Sequence, residues 1–155
     1  MRTPGPDQPP PAPSAVAPER AAEMAAVAQR VTQWAEARAD VVGLLLVGSY
    51  ARGATRPDSD VDLVLLTTDE DRYADNAWTG DVGVGELTRV RSWGAVTERR
   101  FVTASGLEVE INVGSPDWAR LDPVDPGTRT VVSDGARPLY DPTGALAALI
   151  AACRR

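Results

Sequence analysis

Two aspartates, Asp60 and Asp62, stand two residues apart at the start of an apolar run that ends at Thr67. On a β-strand, residues two apart project from the same face and lie roughly 6–7 Å from each other. Two carboxylates held in this way repel each other unless water or a cation lies between them. Mg²⁺ prefers oxygen ligands and is commonly bound by one or two carboxylates together with substrate phosphates. The pair therefore predicts a metal clamp that a polyphosphate completes, although Asp-x-Asp alone is also typical of a solvated strand end.

The same aspartates also fit the first positions of a calcium-binding EF-hand loop that would begin at Asp58. Such a loop requires glycine at its sixth position and glutamate at its twelfth. The chain has Leu63 and Asp69 at these positions, so this interpretation is excluded.

Gly48 and Ser49 directly follow residues 41–47, a continuous apolar run that is short enough for a buried strand. Glycine lets the backbone approach a ligand closely, and free N–H groups at such a turn, together with the serine hydroxyl, can donate hydrogen bonds to phosphate. A Gly-Ser pair alone is typical of an ordinary turn. Placed one short crossover before the two-carboxylate strand, it predicts a site that holds phosphates and a cation together.

The absence of histidine from the chain limits its chemistry. Neither a Ser-His-Asp or Cys-His relay nor a histidine zinc site can be built without this residue. A general base must therefore be a carboxylate, and a catalytic metal must be held by oxygen atoms. Cys153 is the single cysteine, so no intramolecular disulfide can form.

The charge of the chain bears on its partners. The 155 residues carry a formal net charge of −6, and all 16 basic residues are arginine. An acidic surface repels phosphate backbones, which disfavours long DNA or RNA and favours a small neutral or cationic acceptor or a protein. The apolar fraction of 43% is ordinary for a globular protein. No segment predicts a membrane span or a secretory signal, so we expect a cytoplasmic protein.

Hydrophobic periodicity predicts the elements that position these residues. Residues 1–17 contain too many prolines to pack and predict a disordered arm, whereas residues 18–155 predict a single domain. Apolar residues at spacings of three and four predict a helix from residue 18 to about residue 40. Buried strands are then expected at residues 41–47 and 60–67.

Further strands are expected in the second half of the chain. Residues 85–113 predict two or three strands broken by turns at 93–94 and 105–106, and the second break indicates a hairpin. The dipeptide Asp134–Gly135 predicts another hairpin, between two strands within residues 128–140. A short helix at 69–78, a helical turn at 116–120 and a closing helix at 143–155, capped by Thr143, complete the prediction: a mixed sheet covered by helices.

The segment from Gly48 to Leu63 resembles the signature of the DNA polymerase β-like nucleotidyltransferase superfamily, especially its minimal bacterial members. The family pattern is Gly-Ser, often followed by aromatic-Ala-Arg-Gly, and then, after a fixed gap, Ser-Asp-x-Asp-Leu. Residues 48–53 read Gly-Ser-Tyr-Ala-Arg-Gly and residues 59–63 read Ser-Asp-Val-Asp-Leu, with the matching gap. The resemblance implies an α+β (mixed α/β) fold, with a mixed β-sheet flanked by helices. It also implies an enzyme that moves a nucleotide, by default AMP from ATP, to a hydroxyl and releases pyrophosphate.

The resemblance assigns catalysis and metal binding to Asp60, Asp62 and a third acidic residue on a neighbouring strand. Glu110 lies between two β-branched residues and matches the family's hydrophobic–acid–hydrophobic pattern. Glu108 has the same strand parity, so pleating alone does not choose between the two glutamates, and Glu108 stays as the alternative. The three carboxylates are expected to hold Mg²⁺, with the third either completing the metal site or accepting the proton of the acceptor hydroxyl.

Four residues of the signature are expected to bind the nucleotide: Gly48, Ser49, Arg52 and Ser59. A guanidinium group matches the geometry of phosphate, which favours Arg52 as a ligand. Arg56 is interpreted equally well as a phosphate ligand or as a surface charge. Trp93 and Trp118 either line a pocket for the acceptor or the base, or belong to the core.

The acceptor is left open by the sequence. One hypothesis is a small-molecule acceptor, as in the aminoglycoside nucleotidyltransferases, and another is a protein acceptor, as in the antitoxins that adenylylate a partner toxin. A non-catalytic nucleotide-binding module ranks third, because it would be expected to lose a carboxylate and none is lost here. Larger superfamily members add a helical domain that helps to bind the acceptor, whereas this chain is short and rich in turn formers after Leu121. The acceptor site is therefore expected to be shallow, to be built by the second subunit of a homodimer, or to be supplied by a partner protein.

Overall fold

The computed structural model describes residues 17–154. The disordered arm predicted for residues 1–17 lies outside the described residues, apart from Ala17. The elements follow in the order α1 (Pro18–Glu36), β1 (Val41–Val47), α2 (Gly48–Arg52), β2 (Val61–Thr67), a first 3₁₀ turn (Glu70–Tyr73), α3 (Ala77–Val82), β3 (Glu86–Trp93), β4 (Val96–Val102), β5 (Glu108–Gly114), a second 3₁₀ turn (Pro116–Ala119), α4 (Pro126–Ser133), β6 (Ala136–Tyr140) and α5 (Ala145–Cys153). None of the helices in this part of the chain is long and apolar enough to cross a membrane.

The strands form one mixed sheet in the order β3-β4-β5-β2-β1-β6. Strands β2 and β5 are parallel, and all other neighbours are antiparallel. The register places Asp62 opposite Glu110 across the parallel pair and Arg100 opposite Glu110 across the antiparallel pair β4–β5. Charged residues of three neighbouring strands therefore meet on one face of the sheet, because paired residues point to the same side.

Strands β1 and β2 are largely apolar on both faces, because helices cover both sides of this part of the sheet. One face packs Leu63 and Ile111 against residues of α1 such as Met24. The other face packs Val64 and its neighbours against α5, where Leu149 is fully buried. Burying a side chain of this kind contributes about 1.5–3 kcal/mol to stability. Packing on both faces therefore holds the strands that carry the charged residues in fixed positions.

The first helix ends earlier than the sequence predicts. It covers Pro18–Glu36 and stops before Asp40. The carboxylate of Asp40 instead accepts hydrogen bonds from the hydroxyls of Thr67, at 2.8 Å, and Tyr73, at 2.6 Å. These bonds tie the start of β1 to the end of β2, and a helix running through Asp40 would prevent them.

The single short helix predicted for residues 69–78 is split into a 3₁₀ turn and α3. The buried guanidinium of Arg99 explains the interruption. It donates hydrogen bonds to the backbone carbonyls of Ala74 and Asp75 and to the side chain of Asn76. In a continuous helix these backbone carbonyls would accept hydrogen bonds from amides of the next turn. Here they accept them from Arg99, a residue of β4.

The hairpin predicted at Asp134–Gly135 is wrong. The segment before it is helix α4 (Pro126–Ser133), and only the segment after it is a strand, which pairs with β1. Asp125 caps the helix by accepting hydrogen bonds from two first-turn amides, and Pro126 occupies its first position. This helix-start chemistry outweighs the turn preference of Asp-Gly. Gly135 then supplies the positive φ, +128°, with which the chain leaves the helix.

The closing helix begins slightly later than predicted and has a different cap. Its first residue is Ala145. The carboxylate of Asp141 accepts hydrogen bonds from the amides of Leu146 and Ala147, whereas Thr143 accepts one from Ala145. The charged cap at Asp141 therefore satisfies most of the first-turn donors.

Candidate active site

Asp60, Asp62 and Glu110 meet at the N-terminal ends of the central strands β2 and β5. The parallel pairing of β2 with β5 puts Asp62 directly opposite Glu110, and Asp60 immediately precedes β2. One carboxylate oxygen from each of the three residues lies within 4.8 Å of the other two. The alternative glutamate, Glu108, is outside this group and has a more exposed side chain, 44% against 15% for Glu110.

The donor atoms of this acidic triad suit a hard divalent cation. Oδ1 of Asp62 is buried and has no hydrogen-bond partner among the residues that the structure describes. Leaving a buried carboxylate oxygen unpaired is costly, and a bound cation would remove that cost. Three converging carboxylates are ligands that Mg²⁺ prefers, so the residues present fit such an ion.

Gly48 adopts a backbone conformation that favours glycine and lies close to the triad. Its φ is +83°, and a Cβ atom at this position would lie 2.9 Å from Oδ2 of Asp62. Its N–H donates to the carbonyl of Gly135 at 3.1 Å and is not free for a phosphate. The glycine lets the backbone approach the Asp62 carboxylate, and the nucleotide-binding role expected of Gly48 stays a prediction.

The other signature residues surround a polar cleft of about 480 Å³ beside the triad. The hydroxyl of Ser49 donates to Oγ of Ser59 at 3.0 Å, and this oxygen also accepts the backbone N–H of Arg56 at 2.8 Å. The guanidinium of Arg52 donates to the carbonyl of Asp134. The cleft is lined by Ser49, Arg52, Ala54, Arg56, Asp58, Ser59, Asp60 and Asp62. It combines hydroxyls and two guanidinium groups with two carboxylates of the triad, and Gly48 is not part of its lining.

Arg100 is a site residue that the reading of the sequence missed. Its Nη1 lies 2.9 Å from Oε2 of Glu108 and 3.4 Å from Oδ2 of Asp60, and its Nη2 lies 2.9 Å from Oε2 of Glu110. A single half-buried cation thus bridges two members of the triad. The hairpin turn predicted at Ser105–Gly106 could have revealed this residue. Arg100 and Glu110 each lie five residues from Ser105, so a hairpin centred there pairs them.

Glu98 is a second missed residue, and it controls the charge of Glu110. It is buried and accepts hydrogen bonds from Arg89 at 2.7 Å and from Nε1 of Trp93 at 2.9 Å. Burial acts to raise the pKa of Glu98, but hydrogen bonds from Glu110 and Arg89 outweigh it and lower this pKa to about 2. Burial and hydrogen bonding to Glu98 and Asp62 raise the pKa of Glu110 to about 9. Without a cation, Glu110 therefore keeps its proton to a higher pH than an ordinary glutamate does.

The two aspartates are also shifted. Burial, and then the charge of Asp62, raise the pKa of Asp60, and Arg100 opposes this shift. Burial raises the pKa of Asp62, and hydrogen bonding to Glu110 and the charge of Arg100 partly offset it. A divalent cation favours the deprotonated form of every carboxylate it contacts, so binding at this triad must release protons.

Residues 29–111, more than half of the chain, match the family model of the nucleotidyltransferase domain. This segment contains the Gly-Ser turn, both aspartates and the glutamate of the triad. The chain therefore belongs to the nucleotidyltransferase domain family. The resemblance to the polymerase β-like superfamily and the α+β fold expected from it are confirmed.

A solved structure described as "Structure and function of the polymerase core of TRAMP, a RNA surveillance complex" is similar to this chain, with a TM-score of 0.41 and 18% sequence identity. The similarity covers 64% of this chain and 33% of the other, so this chain spans about a third of the length of that polymerase-core chain. A search of curated proteins found no match.

Proposed function

We propose that this nucleotidyltransferase moves the nucleoside monophosphate of an Mg²⁺-bound nucleoside triphosphate, ATP by family resemblance, to the hydroxyl of a small-molecule or protein acceptor. The observation that carries the proposal is the convergence of Asp60, Asp62 and Glu110 within 4.8 Å beside a polar cleft. The net charge of −6 supports an acceptor other than a long nucleic acid.

The polar cleft is the proposed site of the triphosphate. Arg52 and Arg56 bring two positive charges to a cavity of about 480 Å³ that also contains the hydroxyls of Ser49 and Ser59. Guanidinium groups bind phosphate oxygens in a fork geometry, and hydroxyls add neutral donors. Gly48 contributes by its lack of a side chain, because any Cβ would push against Asp62.

The triad is the proposed site of Mg²⁺ and of proton transfer. A bound Mg²⁺ would neutralise phosphate charge and bring the acceptor hydroxyl towards the α-phosphorus. The acceptor oxygen bonds to that phosphorus, the bond from phosphorus to the bridging oxygen of the β-phosphate breaks, and pyrophosphate leaves with the electron pair. Glu110, which a bound cation would keep deprotonated, takes the hydroxyl proton. Arg100 holds Asp60 and Glu110 in place for this step.

Label transfer tests the proposal. The purified protein is incubated with Mg²⁺ and α-³²P-ATP in a cell extract, and both labelled product and released pyrophosphate are measured. Asp60→Asn and Asp62→Asn are expected to reduce both signals to background. Asp81→Asn, which changes an exposed carboxylate on α3, is the matched control and should behave like the wild type. Full transfer by either triad variant would refute the assignment.

A further inference from the structure

A second cavity, of about 250 Å³, adjoins the triad and differs in chemistry from the polar cleft. It shares Asp62 with the cleft, but it is bordered by Glu110 and not by Asp60. Most of its wall is apolar and is formed by Val64, Val96, Val131, Trp93 and Trp118. Its polar lining residues are Asp62, Glu110 and Asn112, and no arginine is among them, so it offers no positive charge to a phosphate.

The two tryptophans of this cavity are anchored in different ways. Trp118 is 8% exposed and belongs to the core cluster beneath α5. Trp93 is 53% exposed at the end of β3. Its Nε1 nevertheless donates to buried Glu98, and the guanidinium of Arg91 lies 4.9 Å from its ring centroid. Trp93 is therefore an exposed aromatic surface held in a defined position, as is typical of binding sites.

The two cavities lie on different sides of the triad, which suggests that one binds the triphosphate and the other binds the acceptor. If the triphosphate occupies the arginine-lined cleft, the remaining reactant must approach the triad from a surface that Glu110 also borders. The apolar cavity satisfies this condition, since Asp62 and Glu110 both line it. A hydroxyl at its mouth is then next to the proposed proton acceptor.

The size and lining of the cavity indicate the class of acceptor. Its volume of about 250 Å³ is below the roughly 300–1,000 Å³ of pockets that enclose a drug-sized ligand, so it admits one end of a molecule. Valine and tryptophan walls stabilise an apolar ring, whereas the ammonium groups of a polycation would lose hydration against them.

Building on the function proposed above, we propose that this cavity receives an uncharged apolar ring that carries the acceptor hydroxyl, such as a phenol or a benzylic alcohol. The ring packs beside Trp93, and its hydroxyl points to Glu110. The ring belongs to a free small molecule or to a tyrosine side chain, and the two sources share this chemistry.

A panel of acceptors tests the inference with Mg²⁺ and α-³²P-ATP. It contains 4-fluorophenol, benzyl alcohol, an uncharged tyrosine-containing peptide, glycerol and a polycationic amino sugar. We expect label on the ring hydroxyls and little on glycerol or the amino sugar. Preference for the free phenol over the peptide would identify a small-molecule acceptor. Preference for the peptide over the free phenol would identify a protein acceptor. Label on the amino sugar or glycerol at least equal to that on every ring hydroxyl would overturn the inference but leave the proposed function standing.

Variants of Trp93 connect the result to the cavity. Trp93→Ala should raise KM for the ring acceptor about tenfold, which corresponds to about 1.4 kcal/mol of lost contact, without a comparable change in KM for ATP. Trp93→Phe should restore most of the affinity. Val90→Ala changes an exposed apolar residue of the same strand that does not line the cavity, and it should match the wild type. An equal KM for the ring acceptor in wild type and Trp93→Ala would contradict the inference.

A binding measurement separates this inference from the proposed function. The ¹⁹F NMR signal of 4-fluorophenol is recorded with protein that contains no nucleotide. Line broadening by the wild type that is lost with Trp93→Ala supports the cavity assignment even if no acceptor releases pyrophosphate, in which case the proposed function alone fails. The absence of broadening, or equal broadening by both proteins, would overturn the inference.

Discussion

Arg100 and Glu110 face each other across the antiparallel pair β4–β5, with Nη2 of the arginine 2.9 Å from Oε2 of the glutamate. The same guanidinium also contacts Asp60 and Glu108. One internal cation therefore offsets part of the negative charge at the proposed metal site. This arrangement explains how the carboxylates of Asp60, Glu108 and Glu110 can lie together in the folded protein without a bound cation.

Replacing Arg100 by methionine should destabilise the metal-free protein. Asp60 and Glu110 would lose the guanidinium that bridges them, and leaving buried hydrogen-bonding groups without a partner costs about 1–3 kcal/mol. Mg²⁺ should restore part of this loss, so it should raise the free energy of unfolding of Arg100→Met more than that of the wild type. Urea unfolding with Mg²⁺ or with a chelator measures both effects.

Arg129→Met is the matched control for this experiment, because Arg129 is exposed on α4. It should leave both the stability and the response to Mg²⁺ unchanged. An equal gain from Mg²⁺ in Arg100→Met and wild type would show that the arginine does not share the charge of the metal site.

Replacing Asp62 by asparagine should separate stability from activity. The carboxylate has a buried oxygen without a hydrogen-bond partner among the described residues, so neutralising it removes a cost of folding. We expect the metal-free variant to gain about 1 kcal/mol in the free energy of unfolding, as is common when a strained functional site is relieved. Nucleotidyl transfer should fall by at least about 100-fold, because loss of a charged metal ligand removes several kcal/mol of transition-state stabilisation. A variant that is both less stable and active would contradict this account.

The stability of the metal-free protein should fall as the pH rises towards 9. The pKa of Glu110 is raised to about 9 by burial and by hydrogen bonding to Glu98 and Asp62, whereas an unfolded glutamate has a pKa of about 4.3. Between these values the folded state binds the extra proton, so the free energy of unfolding decreases with rising pH. Urea unfolding at pH 5–9 in the presence of a chelator measures the slope.

Glu110→Gln provides the comparison for this pH series. The variant cannot bind or release a proton at position 110, so its slope should be flatter than that of the wild type. The apparent affinity of the wild type for Mg²⁺ should increase over the same range, because binding displaces the Glu110 proton. Parallel slopes for the two proteins would mean that Glu110 is already charged at neutral pH.

Replacing Gly48 by alanine should affect both folding and activity. The positive φ of +83° strains any side chain, and the new Cβ would lie 2.9 Å from Oδ2 of Asp62. We expect a loss of about 1–2 kcal/mol in the free energy of unfolding and a fall in kcat, because Asp62 must move away from the triad. Thermal unfolding and steady-state pyrophosphate release measure these quantities.

Gly53 supplies a matched control in the same segment. Its φ is +77°, but a Cβ atom there would have nothing within 4 Å. Gly53→Ala should therefore show the backbone strain without the fall in kcat. Equal losses of kcat in the two variants would mean that contact with Asp62 is not the reason for the glycine at position 48.

Local patterns in the sequence were sufficient to predict which residues lie at the centre of the site. Asp60, Asp62 and the turn at Gly48 lie within one short segment, and the apolar strands on either side of that turn were predicted at their observed positions to within one residue. Glu110 was selected by its β-branched neighbours, and the structure places it opposite Asp62. The role proposed for each of these residues stays a prediction.

What the sequence did not reveal depends on long-range pairing. Arg100 and Glu98 reach the triad only through the register of β4 with β5, and neither stands in a recognisable motif. The interruption after Tyr73 results from contacts with Arg99, which lies on a strand. The turn signal at Asp134–Gly135 was read as a hairpin because the capping chemistry of Asp125 was not weighed against it.

The contact between Gly48 and Gly135 has a practical consequence for anyone shortening this protein. The N–H of Gly48 donates to the carbonyl of Gly135, and a Cβ atom at position 135 would collide with the carbonyl of Gly48 and with Arg52. Gly135 and β6 lie beyond residue 111, where the match to the family ends. A fragment cut at that boundary would keep every carboxylate of the triad. It would lose Gly135, which accepts the hydrogen bond of Gly48, and the strand β6 that follows it. Minimal versions for engineering should therefore extend at least through Tyr140.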